Sequence, residues 1–212
     1  MEITKIVITG GPCGGKSSAL RRVKEYFTEK GYTVLAVAET ATELIGSGVA
    51  PWTCGSREEY QCCQIRLQSV KEEVYDRAAR SLPKDKILIV FDRAVFDCRA
   101  YMGRERFSRA LAALGIDESE ALLGYGAVFH LVTAAKGAEA FYTTSNNAAR
   151  VEAIGEAAML DSRTEDAWSD HPHHRVIDNS TDFEGKIARL LSAIETFLSE
   201  NKKAESSVCA LL

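Results

Sequence analysis

The sequence predicts a three-layer α/β/α protein, with helices on both faces of a five-stranded, mainly parallel sheet. Five short apolar runs alternate with helical patterns along the 212 residues, an order that is typical of parallel sheets with crossover helices. A glycine-rich turn between the first strand and the first helix indicates the same fold class. Because 46% of the residues are hydrophobic and no second core is visible, we expect one domain over residues 1–200 and a flexible tail over residues 201–212.

The glycine-rich turn is a phosphate-binding motif. Residues 10–17, which we call the phosphate loop, read GGPCGGKS and fit G-x-x-x-x-G-K-[ST] at every fixed position. In this motif backbone N–H groups point at phosphate oxygens, the lysine reaches the β- and γ-phosphates, and the hydroxyl ligates Mg²⁺. The helix that follows directs its positive N-terminal end at the same phosphates. The predicted nucleotide-binding residues here are Gly10, Gly11, Pro12, Cys13, Gly14, Gly15, Lys16, Ser17 and Ser18.

Hydrophobic periodicity and capping signals place the other elements. The predicted strands cover residues 3–8, 33–38, 87–91, 127–132 and 175–177. The predicted helices cover residues 16–30, 57–80, 97–102, 105–114, 118–123, 150–168 and 182–197, with a short one starting at residue 41. The second strand is continuously apolar, which indicates burial on both faces. The long third helix begins at a capping box of Ser56 and Glu59, and its predicted apolar face consists of Tyr60, Ile65, Leu67, Val70 and Val74.

Charged residues follow two of the strands, at the edge where open α/β sheets bind ligands. Glu39 follows the second strand and is a candidate for substrate binding or general base; the alternative is a helix-capping or solvated carboxylate. Asp92 follows the third strand and is a candidate Mg²⁺ ligand or base. Arg93 beside it suits a phosphate contact, and the alternative for this pair is a strand-end ion pair. Asp178 and Asn179 follow the fifth strand, where the loop is expected to border the nucleotide base.

Residues 134–168 have the pattern of a lid over the phosphates. A loop that contains Lys136, Asn146 and Asn147 leads into a helix that begins with Arg150. Such lids bring an arginine to the γ-phosphate and exclude water. Arg150 is the first candidate for this arginine and Arg163 the second. The alternative is a surface helix whose arginines pair with neighbouring acids.

Three further features are candidates for a local role. Trp52 ends a loop, where it lines a pocket or closes a surface. His130 lies inside a predicted strand and is expected to pack in the core. The run DHPHH at residues 170–174 contains zinc-ligand types, but proline fixes an extended turn and no second histidine cluster completes a site.

Composition limits the partners and the location. A formal net charge of −4 does not favour nucleic-acid binding. The sequence has no apolar run of 18 residues and begins directly with a strand, so we expect a cytoplasmic protein without a secretory leader. The last four residues, CALL, fit a prenylation signal at Cys209, and membrane attachment is expected only if that cysteine is modified.

The motifs GGPCGGKS and ILIVFDR, the Glu39 corner and the tract FYTTSNNAARVE together resemble those of P-loop kinase-like NTPases over nearly the full length. More closely, the chain is similar to the AAA-type ATPase family that includes the ribosylnicotinamide kinase domain, and to the nucleotide-binding domain of an insect TRPL-channel trafficking protein. The resemblance implies Mg²⁺ and ATP as cofactors, with GTP possible. It also implies catalytic roles for Lys16, Glu39, Asp92, Arg93 and Arg150.

The resulting functional hypothesis is a Mg²⁺-dependent phosphotransferase that moves the γ-phosphoryl group of ATP to a small hydroxyl-bearing metabolite such as a nucleoside. The expected partners are a nucleoside triphosphate and this small-molecule acceptor. ATP is preferred over GTP because the sequence has no N-K-x-D guanine motif. The alternatives are a regulatory NTPase that controls a protein or membrane partner, and a plain hydrolase.

Overall fold

The structure, a computed structural model, describes residues 1–139 and 153–209, with side chains up to residue 201. The expected lid residues Asn146, Asn147 and Arg150 lie outside the described residues, as does the side chain of Cys209.

A single sheet of five strands forms the middle layer, in the order β2-β3-β1-β4-β5. The strands are β1 (Glu2–Thr9), β2 (Thr33–Val37), β3 (Lys86–Asp92), β4 (Ala127–Leu131) and β5 (His174–Ile177). Every neighbouring pair is parallel, so the sheet is wholly rather than mainly parallel. In the centre β1 pairs Val7 with Phe91 of β3 on one side and with Val128 of β4 on the other. The carboxyl ends of all five strands thus meet at one edge, where the phosphate loop begins.

Eight helices are described. They are α1 (Lys16–Glu29), α2 (Thr40–Gly46), α3 (Arg57–Ser81), α4 (Asp97–Met102), α5 (Arg104–Ala113), α6 (Glu118–Leu123), α7 (Ile154–Ala167) and α8 (Phe183–Cys209). Their bounds agree with the predicted ones within a few residues, except that α8 ends at Cys209 instead of residue 197. Among these described helices, none is both long and apolar enough to cross a bilayer.

Two hydrophobic clusters fix the three layers, because successive strand residues point to opposite faces. On one face Val7 and Phe91 pack with Ile65 of α3 and Phe107 of α5. On the other face Ile8 and Val90 pack with side chains of α1 and α8, including Val23, Phe27, Leu190 and Phe197. This arrangement confirms the predicted α/β/α class.

The prediction that the second strand is buried on both faces is only partly right: Val34 packs in one hydrophobic cluster and Leu35 and Val37 in the other, but the burial is incomplete. Strand β2 forms the edge of the sheet and pairs only with β3 among the described strands. Val34 and Val37 are buried, whereas Leu35 and Ala36 are half-buried. The sequence does not show whether this strand lies at the edge or in the centre of the sheet. Neighbouring helices can cover much of an edge strand, so an apolar run of five residues occurs in both positions.

The apolar face predicted for the long helix is also partly wrong. Val70 and Val74 are 39% and 57% exposed, although Tyr60 and Ile65 are buried as expected. Apart from Ala79, the other buried residues of the helix are the polar Gln61, Gln64 and Gln68. The expected N-cap is present, since Ser56 Oγ accepts a hydrogen bond from the Glu59 N–H at 3.0 Å.

Candidate active site

The phosphate loop fits tightly against the end of β4. Gly10 has φ +134°, and a Cβ atom built there would lie 2.1 Å from the carbonyl oxygen of Leu131. A Cβ atom on Gly14 would lie 2.6 Å from the same oxygen. Because both obstacles are backbone atoms, only glycine fits at these positions. The Thr133 hydroxyl also donates to the Pro12 carbonyl, so the loop is joined to the segment after β4 by hydrogen bonds as well as by packing.

Lys16 folds back over the loop that precedes it. Its ammonium donates to the carbonyl oxygens of Gly10 at 3.1 Å and of Gly11 at 2.8 Å, and the residue is only 5% exposed. The loop thus holds one positive charge among its own carbonyl groups. A cation in this position can contact phosphate oxygens that are cradled by the loop.

Asp161 of α7 is hydrogen-bonded to the backbone of the phosphate loop. Its Oδ1 accepts the Gly11 N–H at 2.8 Å and the Thr133 N–H at 3.0 Å, and it lies 3.0 Å from His130 Nε2. The Lys136 ammonium lies 2.8 Å from Oδ2. Burial opposes ionisation of Asp161, but these donors outweigh it and hold its pKa well below the usual range. The fully buried carboxylate therefore orders two loops at once.

The described residues contain one group of three side chains that could hold a metal ion. It consists of His130, Asp161 and Glu165, whose potential ligand atoms lie within 4.8 Å of one another. His130 Nε2 already bonds the Asp161 carboxylate, and an ionised carboxylate only accepts hydrogen bonds, so this nitrogen carries a proton. The arrangement is a hydrogen-bond network with a buried histidine, as expected for a strand residue.

Asp92 ends β3 beside the phosphate loop. Its Oδ2 lies 3.5 Å from Ser17 Oγ, and its buried Oδ1 has no hydrogen-bond partner among the described residues. Burial, together with the nearby Glu39 charge, raises the pKa of Asp92 to about 6 despite the charges of Lys16 and Arg93. A carboxylate oxygen and a hydroxyl are hard oxygen donors of the kind that Mg²⁺ prefers, and the unpaired Oδ1 is suited to a cation. Asp92 and Ser17 together fit a magnesium site.

Glu39 and Arg93 form a partly buried ion pair across the ends of β2 and β3. Arg93 Nε donates to Glu39 Oε1 at 2.8 Å, and the Thr42 hydroxyl donates to the other carboxylate oxygen. Burial favours the neutral acid, but the charges of Arg93 and Lys16 prevail and lower the pKa of Glu39 to about 2. Glu39 occupies the N-cap position of α2 without a side-chain capping bond, so it is neither the capping nor the solvated carboxylate of the alternative prediction.

A second carboxylate, Asp97, holds Arg93 from the other side and was not singled out from the sequence. Its Oδ1 accepts from Arg93 Nη1 at 2.9 Å and from the Thr9 hydroxyl. Arg93 has φ +64°, a left-handed conformation that costs roughly 1 kcal/mol for a residue with a side chain. Arg93 thus forms ion pairs at the strand ends, but with Glu39 and Asp97; among the described residues it has no ion pair with Asp92, the partner in the alternative prediction.

The other predicted site residues lie farther from this group. Asn179 donates to the Thr133 and Lys136 carbonyls at 2.8 and 2.7 Å, and Asp178 is exposed and paired with Arg189 at 2.6 Å. These contacts order the loops after β4 and β5. Arg163 is exposed and contacts Met159 on its own helix, whereas the surface-helix alternative predicted a pair with a neighbouring acid. Trp52 is 64% exposed, so it does not line an enclosed pocket.

Phe183 is a site residue that no motif indicated. It begins α8, is 44% exposed, and its Cε2 would lie 2.6 Å from a Cβ atom on Gly15. The ring thus lies against the phosphate loop, next to the loop that follows β5. An aromatic residue one position after a predicted helix start gives no such signal by itself, because the approach to Gly15 depends on the tertiary fold.

The fold and this site define the class of protein. A phosphate loop between a central parallel strand and its helix, with charged residues at neighbouring strand ends, is the arrangement of a kinase-like P-loop NTPase, a nucleotide-binding fold. A family profile described as an AAA domain matches residues 5–186, so the chain belongs to this AAA domain family. No curated protein matches the chain significantly.

A solved structure agrees with this assignment. Deoxyadenosine kinase from M. mycoides, determined with bound dATP, superposes with a TM-score of 0.60 over 91% of this chain and 99% of its own. The two sequences are 15% identical, so the likeness shows the fold. The resemblance to P-loop kinase-like NTPases that the sequence indicated is confirmed.

Proposed function

We propose that the protein is a Mg²⁺-dependent kinase that transfers the γ-phosphoryl group of ATP to the hydroxyl of a small metabolite of the nucleoside type. The observation that carries this proposal is the grouping of Lys16, Asp92, Arg93 and Glu39 at one edge of the sheet. The set contains a cation for the phosphates, a metal ligand and a carboxylate for an acceptor hydroxyl. These are the parts that phosphoryl transfer needs.

On the donor side, the loop N–H groups and Lys16 would bind the β- and γ-phosphates. Ser17 and Asp92 would hold Mg²⁺, which supplies positive charge against the phosphate oxygens when it is bound. Arg93 would add a second positive charge beside the transferred group, and Arg150 would complete the set from the lid. Because the transition state is loose, catalysis depends on the positions of these charges.

On the acceptor side, α3 offers polar groups next to Glu39. Gln68 Oε1 accepts the Thr40 hydroxyl at 2.6 Å, one residue after Glu39. Farther along the same buried face, Gln61 Oε1 and the Tyr60 hydroxyl have no hydrogen-bond partner among the described residues. Burial foremost, and then neighbouring charges that include Glu39, raise the pKa of Tyr60. Unpaired buried polar groups favour an acceptor that is rich in hydrogen-bonding groups, such as a nucleoside.

Glu39 rather than Asp92 would receive the acceptor proton. Asp92 lies with Ser17 on the metal side, whereas Glu39 lies beside α2 and α3. The Arg93 charge makes Glu39 a weak base, with a pKa of about 2. When Arg93 turns part of its charge to the phosphates, the Glu39 carboxylate becomes more basic, so proton acceptance is coupled to occupation of the donor site.

Phe183 is expected to stack on the nucleotide base. Replacing it with alanine should raise the KM for ATP by roughly 10- to 100-fold, because stacking of a base on an aromatic ring contributes about 1–3 kcal/mol. The kcat at saturating ATP should change little, since a ring that stacks on the base would carry no charge to the transferred phosphoryl group. Steady-state kinetics with varied ATP would measure this, and Leu123→Ala, which removes another exposed apolar side chain, is the matched control. An unchanged KM in Phe183→Ala would show that the base lies elsewhere.

The experiment that tests the proposed function is nucleotide consumption by the purified protein with ATP and with GTP. Each reaction is run with and without a pool of nucleosides and other hydroxyl-bearing metabolites. Acceptor-stimulated consumption of ATP, with a phosphorylated product detected by mass spectrometry, is the expected result. Nucleotide binding without any acceptor-dependent turnover would contradict the kinase proposal and favour a regulatory NTPase. Turnover that is independent of acceptor would favour a hydrolase.

A further inference from the structure

Asp97 has an unusual set of partners for a residue that no substrate can reach. It is fully buried and accepts four hydrogen bonds, two on each oxygen. The Thr9 hydroxyl and Arg93 Nη1 bond Oδ1, whereas the Ala94 N–H at 3.0 Å and Trp168 Nε1 at 3.2 Å bond Oδ2. These donors exhaust the lone pairs of an ionised carboxylate.

The four donors come from three separate parts of the fold. Thr9 ends β1 immediately before the phosphate loop, Arg93 and Ala94 follow β3, and Trp168 caps the C-terminal end of α7. Trp168 is itself fully buried against Phe96, with ring centroids 5.3 Å apart. The orientation of the Asp97 carboxylate is thereby fixed by elements on both sides of the site.

Asp97 and Glu39 share one guanidinium. Glu39 takes Arg93 Nε at 2.8 Å and Asp97 takes Nη1 at 2.9 Å. If the charge of Asp97 were removed, Arg93 would pair with Glu39 alone. Arg93 and Glu39 would then be held in a single ion pair. Arg93 would be less available to phosphate, and Glu39 would be less available to the acceptor hydroxyl.

We propose that Asp97 is a positioning residue that holds Arg93 in its working orientation and, through Trp168, makes that orientation depend on α7. This inference rests on the proposed kinase function, because the role of Arg93 is part of it. The helix α7 lies within residues 134–168, the range predicted from the sequence as a lid, so the indole bond connects this helix to the carboxylate that holds Arg93.

The test compares the variants Asp97→Asn and Trp168→Phe with a control, Asp166→Asn, which removes an exposed charge from α7. We expect Asp97→Asn to lower kcat by roughly 10- to 100-fold while the KM for ATP changes by less than about threefold. Trp168→Phe, which keeps the aromatic packing and removes only the indole donor, should lower kcat by about threefold to tenfold. Asp166→Asn should behave as the unsubstituted protein.

Two further measurements separate positioning from general destabilisation. In a Trp52→Phe background the tryptophan fluorescence comes from Trp168 alone. Asp97→Asn should then shift the emission maximum if the indole donates a hydrogen bond to Asp97. Asp97→Asn should add little to the loss of kcat in Arg93→Ala, because both act through one guanidinium. Additive losses, or an unchanged kcat in a folded Trp168→Phe variant, would overturn the inference. If Asp97→Asn does not fold, the Trp168→Phe result decides; absence of turnover in the unsubstituted protein would instead refute the kinase function.

Discussion

Replacing Lys16 with alanine is expected to reduce acceptor-dependent consumption of ATP by roughly a thousandfold. The ammonium lies among the Gly10 and Gly11 carbonyl groups at the centre of the phosphate loop. Removal of one preorganised charge from the transferring phosphoryl group costs about two to three orders of magnitude in kcat. The measurement is product formation at saturating ATP and acceptor.

The matched control for this prediction is Lys24→Ala, which removes an exposed ammonium from the same helix, α1. It should leave kcat and KM unchanged. Substantial activity in Lys16→Ala would show that the loop does not hold the reacting nucleotide. Retained folding of the variant is checked by circular dichroism, since Lys16 also bonds the loop backbone.

Replacing Glu39 with glutamine is expected to lower kcat by roughly 10²- to 10⁴-fold, the usual contribution of a positioned general base. Glutamine keeps the size of the side chain. Its amide oxygen can still accept from Arg93, and its NH2 group can donate to the Thr42 hydroxyl, so the KM for ATP should change far less than kcat. Glu43→Gln, on the same helix and 47% exposed, is the control and should retain activity. A variant at Glu39 with normal turnover would assign the base role to Asp92 or to no side chain.

The same substitution has a consequence for stability that depends on pH. The pKa of Glu39 is about 2 in the folded protein and 4.5 ordinarily. Because the folded value is lower, ionisation stabilises the folded protein fully above pH 4.5, by up to about 3 kcal/mol, and this contribution is lost as the pH falls towards 2. Urea unfolding at several pH values should show the difference in free energy of unfolding between the protein and Glu39→Gln narrowing from pH 5 downwards. A difference that is constant over this range would contradict the ion pair with Arg93.

The fold and part of the site could be predicted because their signals are contiguous in the chain. The phosphate loop is one run of eight residues, and its chemistry depends on residue types at fixed spacing. Glu39 and Asp92 could be placed together because parallel strands end at the same edge of a sheet, and β2 and β3 are neighbours. The alternation of strand and helix patterns along the chain was enough to predict the three layers.

The parts that could not be predicted depend on contacts between distant segments. Asp97 receives hydrogen bonds from Thr9 and Trp168, which lie 88 and 71 positions away, and Asp161 reaches Gly11 over 150 positions. An aspartate near a helix start is ordinarily a cap or a solvated residue, so sequence alone favours the wrong interpretation. The helix α3 departs from the rule that polar residues face solvent and apolar residues face the interior, because three of its glutamines are buried and two of its valines are exposed.

The bond between Asp161 and the Gly11 N–H has a consequence for the thermodynamics of nucleotide binding. A glycine-rich loop that was free in solution would lose backbone entropy when phosphate ordered it, at about 1–2 kcal/mol per residue. Here the Gly11 amide already donates to a buried carboxylate, and Gly10 and Gly14 lie close against the Leu131 backbone. That ordering is already complete when the chain folds. If nucleotide binds here as proposed, it meets a preorganised loop, and the free energy of phosphate contact is available as affinity.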